Sequence, residues 1–181
     1  MILGIDPGLA NTGWAVLDVR SQFSDLSSQI SVLRSENIQE SQAGEYKLVE
    51  CGCLRTNIGE ASARRLEKIY DELERLIKKY KVEAMAIESL FFAKNAKSAI
   101  KVSEAIGVIK VCGQRNGIEV VEFTPLQVKT TLVGYGRAQK DQVEIMVRNF
   151  LGLTGNISPS HASDAVAVGL TYLFTNKNLV V

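Results

Sequence analysis

The spacing of apolar residues changes between residues 46–54 and 66–80, and that change restricts the chain to folds that mix one sheet with helices. Before it, the segments read as strands. Ile2-Leu3-Gly4-Ile5 is an apolar run closed by Asp6-Pro7-Gly8, a sequence that stops a strand and turns the chain. Thr12-Gly13-Trp14-Ala15-Val16-Leu17 reads as a second strand in a hairpin with the first, and Tyr46 to Leu54 as a third, so the start predicts an antiparallel meander. After the change, Leu66, Ile69, Tyr70, Leu73, Leu76, Ile77 and Tyr80 recur at steps of three and four, which predicts a helix over about 61–80. Ala84-Met85-Ala86-Ile87 is a short apolar strand ending at Glu88. Residues 96–115 read as a helix closing at Asn116-Gly117, and 118–123 as a fifth strand. Thr124-Pro125 opens another helix, with Thr as N-cap and Pro in the first turn. Gly134-Tyr135-Gly136 reads as a flexible break, followed by helices over 139–151 and about 161–174. Strands connected by crossover helices around one sheet define an α/β class, and no internal boundary divides residues 1–181 into two domains. The polar stretch 21–42, rich in Ser and Gln, reads as a loop insertion between the second and third strands.

Composition narrows the function classes. An apolar fraction of 46% and a charged fraction of 23% are ordinary for a soluble globular protein. The net charge of +1 gives no bulk signature of a nucleic-acid partner. Its distribution is more informative: residues 91–150 hold nine Lys/Arg against five Asp/Glu, whereas residues 1–90 hold eleven against fourteen. One half can therefore carry a basic face. The apolar run Ala165 to Phe174 is shorter than the roughly 20 residues needed to span a bilayer, no signal peptide is visible, and no membrane partner is expected. Three cysteines do not suggest a disulfide framework. Cys51 and Cys53 lie two apart on one strand and read as buried small apolar side chains rather than a zinc site. A reduced, cytoplasmic protein is expected.

The chemistry-bearing residues are few. Asp6 and Glu88 each end a strand; if those strands are parallel neighbours, both carboxylates meet at the end of the sheet where open α/β folds bind ligands. His161, the single histidine, and Asp164 are three apart at the start of the last helix and so share a face. Taken singly, Asp6 can be a turn former, Asp164 a capping acid and His161 a surface residue. Together, three carboxylates and an imidazole would repel one another unless a cation held them. Carboxylate oxygens suit Mg²⁺ or Mn²⁺, and two such ions can promote phosphodiester cleavage.

The same residues carry a resemblance. Gly4-Ile5-Asp6-Pro7-Gly8, Ala86-Ile87-Glu88 running into Phe91-Phe92-Ala93-Lys94-Asn95-Ala96-Lys97-Ser98-Ala99, Gln127-Val128-Lys129, Lys140-Asp141-Gln142-Val143 and His161-Ala162-Ser163-Asp164-Ala165 resemble, in order and over almost the whole chain, the RuvC family of Holliday junction resolvases. The resemblance implies a ribonuclease-H-like fold, with a mixed five-stranded sheet and helices on both faces. It implies a homodimer that nicks two like-polarity strands of a four-way DNA junction, with Mg²⁺ as cofactor, Mn²⁺ as a possible substitute and two ions per site. A branch-migration motor is a further partner by the same analogy, and the process served is homologous recombination and DNA repair. By position, Asp6, Glu88 and Asp164 match the acidic metal ligands, and His161 stands where many members have a fourth Asp. His161 is thus a ligand or a general base. Phe91 matches an aromatic inserted among junction bases, and Lys129 and Lys140 match basic residues near the scissile phosphate. Lys94, Lys97 and Lys101 recur at helical spacing beside Phe91, with Asn95 among them, as phosphate contacts or a solvated face. Of the two aromatics, Phe92 is expected to pack inward and Phe91 to point out. Val102, Ala105, Ile109 and Cys112 share a side that serves either the core or a two-fold partner. Two departures stand out: the 21–42 insertion, and Glu104 and Ile106 where the family usually has glutamine and arginine.

Two other readings compete. A junction-binding protein with weakened or lost cleavage would explain His161 in place of Asp. An actin-like ATPase would share the opening Gly-Ile-Asp-Pro-Gly, but would need a second glycine-rich phosphate hairpin and an adenosine motif, and neither is present in the sequence, so no nucleotide cofactor is expected.

Overall fold

β1 (Ile2–Asp6) and β2 (Asn11–Val19) form an antiparallel hairpin in which Asp6 lies opposite Gly13, and β3 (Tyr46–Arg55) continues the meander beside β2. A computed structural model describes residues 1–19, 46–89 and 96–176, with side-chain detail in the first helical turn after residue 95 beginning at Ala99. The 21–42 insertion and Phe91, Phe92, Lys94 and Asn95 lie outside the described residues, as does the side chain of Lys97. β4 (Ala84–Glu88) runs parallel to β1, and β5 (Glu119–Phe123) parallel to β4, giving one mixed sheet in the order β3-β2-β1-β4-β5. The two parallel pairings require crossovers, and helices supply them. α1 (Ser62–Tyr80) connects β3 to β4 and α2 (Ala96–Arg115) lies between β4 and β5. α3 (Pro125–Val133), α4 (Lys140–Leu151) and α5 (Ser160–Thr175) follow.

Strand alternation sorts side chains onto two faces. Leu3 and Ile5 of β1, Trp14 and Val16 of β2, and Met85 and Ile87 of β4 pack with Ile69, Leu73 and Leu76 of α1 and Ala105, Ile109 and Cys112 of α2. The side of α2 that could have served the core or a partner therefore serves the core. Ile106 is also in this cluster, and Glu104 is exposed, where its carboxylate accepts a hydrogen bond from Ser62 Oγ at 3.2 Å. The alternate residues, Gly4 and Asp6 of β1 and Ala84, Ala86 and Glu88 of β4, face α3, α4 and α5. There, Val128, Leu132, Val147, Leu151, Val166 and Leu170 build the second half of the core.

α5 is buried nearly all round, as a central helix must be when apolar residues occupy all its faces. Its depth is set by two glycines in the sheet. A Cβ on Gly4 would overlap the Ala165 carbonyl, and a Cβ on Gly13 would overlap the His161 carbonyl. The absence of those side chains lets the first turn of α5 lie directly against β1 and β2 beside Asp6.

Element boundaries follow local chemistry. β5 begins at Glu119, one residue later than the apolar run suggests, because Gly117 at φ 68° ends α2 and Ile118 N–H donates to the Gly113 carbonyl at 2.9 Å. α3 carries the expected cap: Thr124 and Gln127 exchange side-chain-to-backbone bonds in a capping box. The Gly134–Gly136 break is a folded connection. Gly134, at φ 92°, caps α3 through an N–H to the Thr130 carbonyl at 2.9 Å, and Ala138 is buried behind it. Cys51 and Cys53 correct the sequence reading: both lie on edge strand β3 and are only partly buried. No described helix is long and apolar enough to cross a membrane.

Candidate active site

The parallel register of β1 and β4 pairs Ile5 with Ile87, so the next residues, Asp6 and Glu88, leave the sheet at the same end and on the same face. The first turn of α5 closes over that end. His161 Nδ1 lies 2.7 Å from Asp6 Oδ2, a contact between residues 155 positions apart. Asp164, one turn further along α5, pairs through Oδ2 with Lys140 Nζ of α4, also at 2.7 Å. One ligand atom from each of Asp6, His161 and Asp164 lies within 4.8 Å of the other two. Glu88 is not in that tight trio but lines the adjoining cleft of about 210 Å³, with Lys129, Lys140, Asp164 and the apolar Pro125, Val128, Val143, Ala167 and Val168.

The electrostatics are those of a site short of positive charge. Burial raises the Asp6 carboxyl above its ordinary value; the hydrogen bond from His161 opposes the rise and the charge of Asp164 adds to it. Burial pushes Glu88 up to about 7, and the neighbouring Asp6 and Asp164 carboxylates push the same way, with Lys140 and Lys129 opposing. For Lys140, burial pulls the ammonium down, but the hydrogen bond and charge of Asp164 outweigh it and leave it raised.

This donor set fits a hard divalent cation. Two carboxylates and an imidazole converge within the span of one coordination sphere, a third carboxylate stands beside them, and the free energy of Asp6 and Glu88 ionisation is left for a metal to offset. The structure thus brings Asp6, His161 and Asp164 together, places Glu88 and Lys129 in the same cleft, and ties Lys140 to it. Phe91, Lys94 and Asn95 fall outside the described residues. The sequence reading missed the direct pairing of Lys140 with Asp164. They are 24 positions apart on different helices, and no periodicity within either helix signals the contact.

Comparison with known proteins places the chain in a family. The sequence profile of crossover junction endodeoxyribonuclease RuvC matches residues 37–172. A crossover junction endodeoxyribonuclease RuvC from Fusobacterium nucleatum is 38% identical over 172 residues, covering 95% of this chain and 79% of the relative. Its counterpart in Pelotomaculum thermopropionicum is 37% identical, covering 95% and 92%. Among solved structures, Thermus thermophilus RuvC superposes with a TM-score of 0.80 at 30% identity over 98% of this chain and 95% of its own. The same protein in complex with a Holliday junction substrate gives 0.81 at 29% identity, covering 98% and 94%. The yeast mitochondrial Holliday junction resolvase Ydc2, at 10% identity and a TM-score of 0.63 over 98% of this chain and 81% of its own, shares the fold. The mixed five-stranded sheet with helices on both faces is accordingly the ribonuclease-H-like fold of these enzymes. The chain belongs to the RuvC family of crossover junction endodeoxyribonucleases.

Proposed function

We propose that this protein is a divalent-metal-dependent endonuclease that resolves four-way DNA junctions by symmetric paired nicks, in homologous recombination and DNA repair. The observation that carries this reading is the convergence of Asp6, His161 and Asp164, with Glu88 beside them, in a cleft whose rim carries Lys129 and Lys140. Family membership supplies the substrate class.

Asp6, His161, Asp164 and Glu88 would hold Mg²⁺, or Mn²⁺ in its place, with two ions per site as family membership suggests. When bound, the metal supplies an activated water and charge stabilisation at the leaving oxygen. The chain's own residues do the rest. The half-buried Asp6 and Glu88 carboxylates are fixed at strand ends, so they need little reorganisation when the site is loaded. His161 Nδ1 lies against Asp6 Oδ2, which leaves Nε2 as the ring nitrogen that would ligate a metal or take a proton from water. Lys129 and Lys140 offset the charge of a phosphate entering the cleft. Lys140, now paired with Asp164, is within the cleft and could pair with that phosphate instead. A binding-only protein is not favoured, because the three acids persist and His161 adds a donor where an Asp would stand.

We read residues 1–181 as one nuclease domain that acts as a homodimer in the cytoplasm, offering paired sites to a two-fold junction and meeting a branch-migration motor there. The test is cleavage of a synthetic four-way junction with Mg²⁺ or Mn²⁺. Symmetric nicks are expected, and Asp6→Asn should abolish them while junction binding persists. No cleavage under any divalent metal would remove the proposal.

A further inference from the structure

Residues 124–140 carry three cations, Lys129, Arg137 and Lys140, and no acid, in a chain whose net charge is only +1. They span α3, the connection at 134–139 and the first residue of α4. Lys129 and Lys140 line the catalytic cleft, one on each side of that connection. Arg137 lies between them in sequence. It is exposed and, among the described residues, has no hydrogen-bond or ion-pair partner.

Beside these cations is an apolar surface that the core does not use. Tyr135 is 47% exposed and Leu126 59% exposed. The connection that carries Tyr135 packs against Leu126 at the neighbouring Gly136. A Cβ on Gly136 would overlap Leu126 Cδ1 and lie 3.4 Å from Thr130 Oγ1, so the connection folds back onto α3 at Leu126. Gly134 in the left-handed region turns the chain there, and buried Ala138 anchors the far end. Nothing in the fold requires an aromatic at position 135 to face outward, and burying it on folding would remove apolar surface from water. An exposed aromatic and aliphatic surface with cations near it in the chain, the unpartnered Arg137 among them, is an arrangement that binds unstacked bases and their phosphates.

We propose that Tyr135 and Leu126 form a stacking platform for an unpaired nucleobase of the junction, with Arg137 on the adjacent phosphate, in continuity with the catalytic cleft through Lys129 and Lys140. The inference rests on the reading of the protein as a junction nuclease, and adds a DNA contact surface on the α3–α4 side of the site. It also explains why the connection is folded rather than loose: a preordered platform spares the ordering cost on binding.

The experiment uses the full chain carrying Asp6→Asn, which blocks cleavage, and a fluorescent four-way junction titrated over a series of KCl concentrations. Arg137→Gln is expected to lower the slope of log affinity against log salt by about 1, the signature of one lost phosphate contact. Tyr135→Ala is expected to weaken binding roughly tenfold, with Tyr135→Phe near the parent, because stacking needs the ring and not the hydroxyl. With 2-aminopurine at the junction centre, Tyr135→Ala should restore the fluorescence that the parent quenches. Both platform side chains replaced, Tyr135 and Arg137, are exposed, so thermal melting should stay at the value of the Asp6→Asn parent. An unchanged salt slope in Arg137→Gln, or Tyr135→Ala within about twofold of the parent, overturns the platform while leaving the nuclease reading intact. A parent that does not bind the junction at all overturns both.

Discussion

With its carboxyl pushed up to about 7, Glu88 is half-protonated near neutral pH in the metal-free protein. In the unfolded chain the same group titrates at its ordinary 4.5. Above pH 7 the side chain is ionised in both states and its burial destabilises the fold. As pH falls from 7 toward 4.5, the folded protein takes up a proton that the unfolded chain does not, so stability rises, and the gain is complete below 4.5. The full swing is on the order of 3 kcal/mol at about 1.4 kcal/mol per pH unit. Asp6, raised for the same first reason, adds in the same direction. Thermal melts with chelator should therefore show a higher midpoint at pH 5.5 than at pH 8. Glu88→Gln should stabilise the metal-free protein at pH 8 by about 1–3 kcal/mol while eliminating nicking. A variant that melts at or below the parental temperature at pH 8 would contradict a buried, charge-crowded Glu88.

At the scale of elements, the active end of the sheet depends on how closely α5 approaches it. Gly4 and Gly13 are the two points where α5 backbone stands where a side chain would be. Gly4→Ala forces a methyl into the Ala165 carbonyl, and overpacking of this kind costs about 1–3 kcal/mol; denaturant unfolding measures it. Gly13→Ala acts on the carbonyl of His161 itself. It should lower Mn²⁺ affinity by calorimetry roughly tenfold, the scale at which perturbing ligand orientation acts. If Gly13→Ala bound Mn²⁺ as the parent does, the α5 start would not be what places the imidazole.

For the whole molecule, the two carboxylates raised by burial couple folding to metal loading. A cation that binds only the folded protein stabilises it by about 2.7 kcal/mol at a hundred times its dissociation constant. Protons compete for Glu88 and Asp6, so the melting shift produced by a fixed Mg²⁺ or Mn²⁺ concentration should grow from pH 6 to pH 8. Equal shifts at both pH values, measured by differential scanning fluorimetry, would mean that these carboxylates take no part in binding.

Much of this was legible along the chain because it is written in local patterns. Alternating apolar residues, the period of α1, the Thr124-Pro125 cap and the Gly117 stop each specify backbone within a few residues, and the strands and helices form where they indicate. The strand-ending positions of Asp6 and Glu88, and the three-residue spacing of His161 and Asp164, pointed to residues that the fold brings to one end of the sheet. Where local pattern was silent, the reading failed or stopped. Burial of Cys51 and Cys53 depended on β3 being an edge, which only strand order decides. The side of α2 was ambiguous until α1 packed on it. The sequence by itself determined which elements form and which residues can do chemistry, since propensity and period act between near neighbours. Only the tertiary structure decided that Asp6 meets His161, that Lys140 answers Asp164 and that Glu88 holds its proton near neutrality. Those are distances and desolvation set by the docking of α5 on two glycines, a contact between parts of the chain that share no local signal.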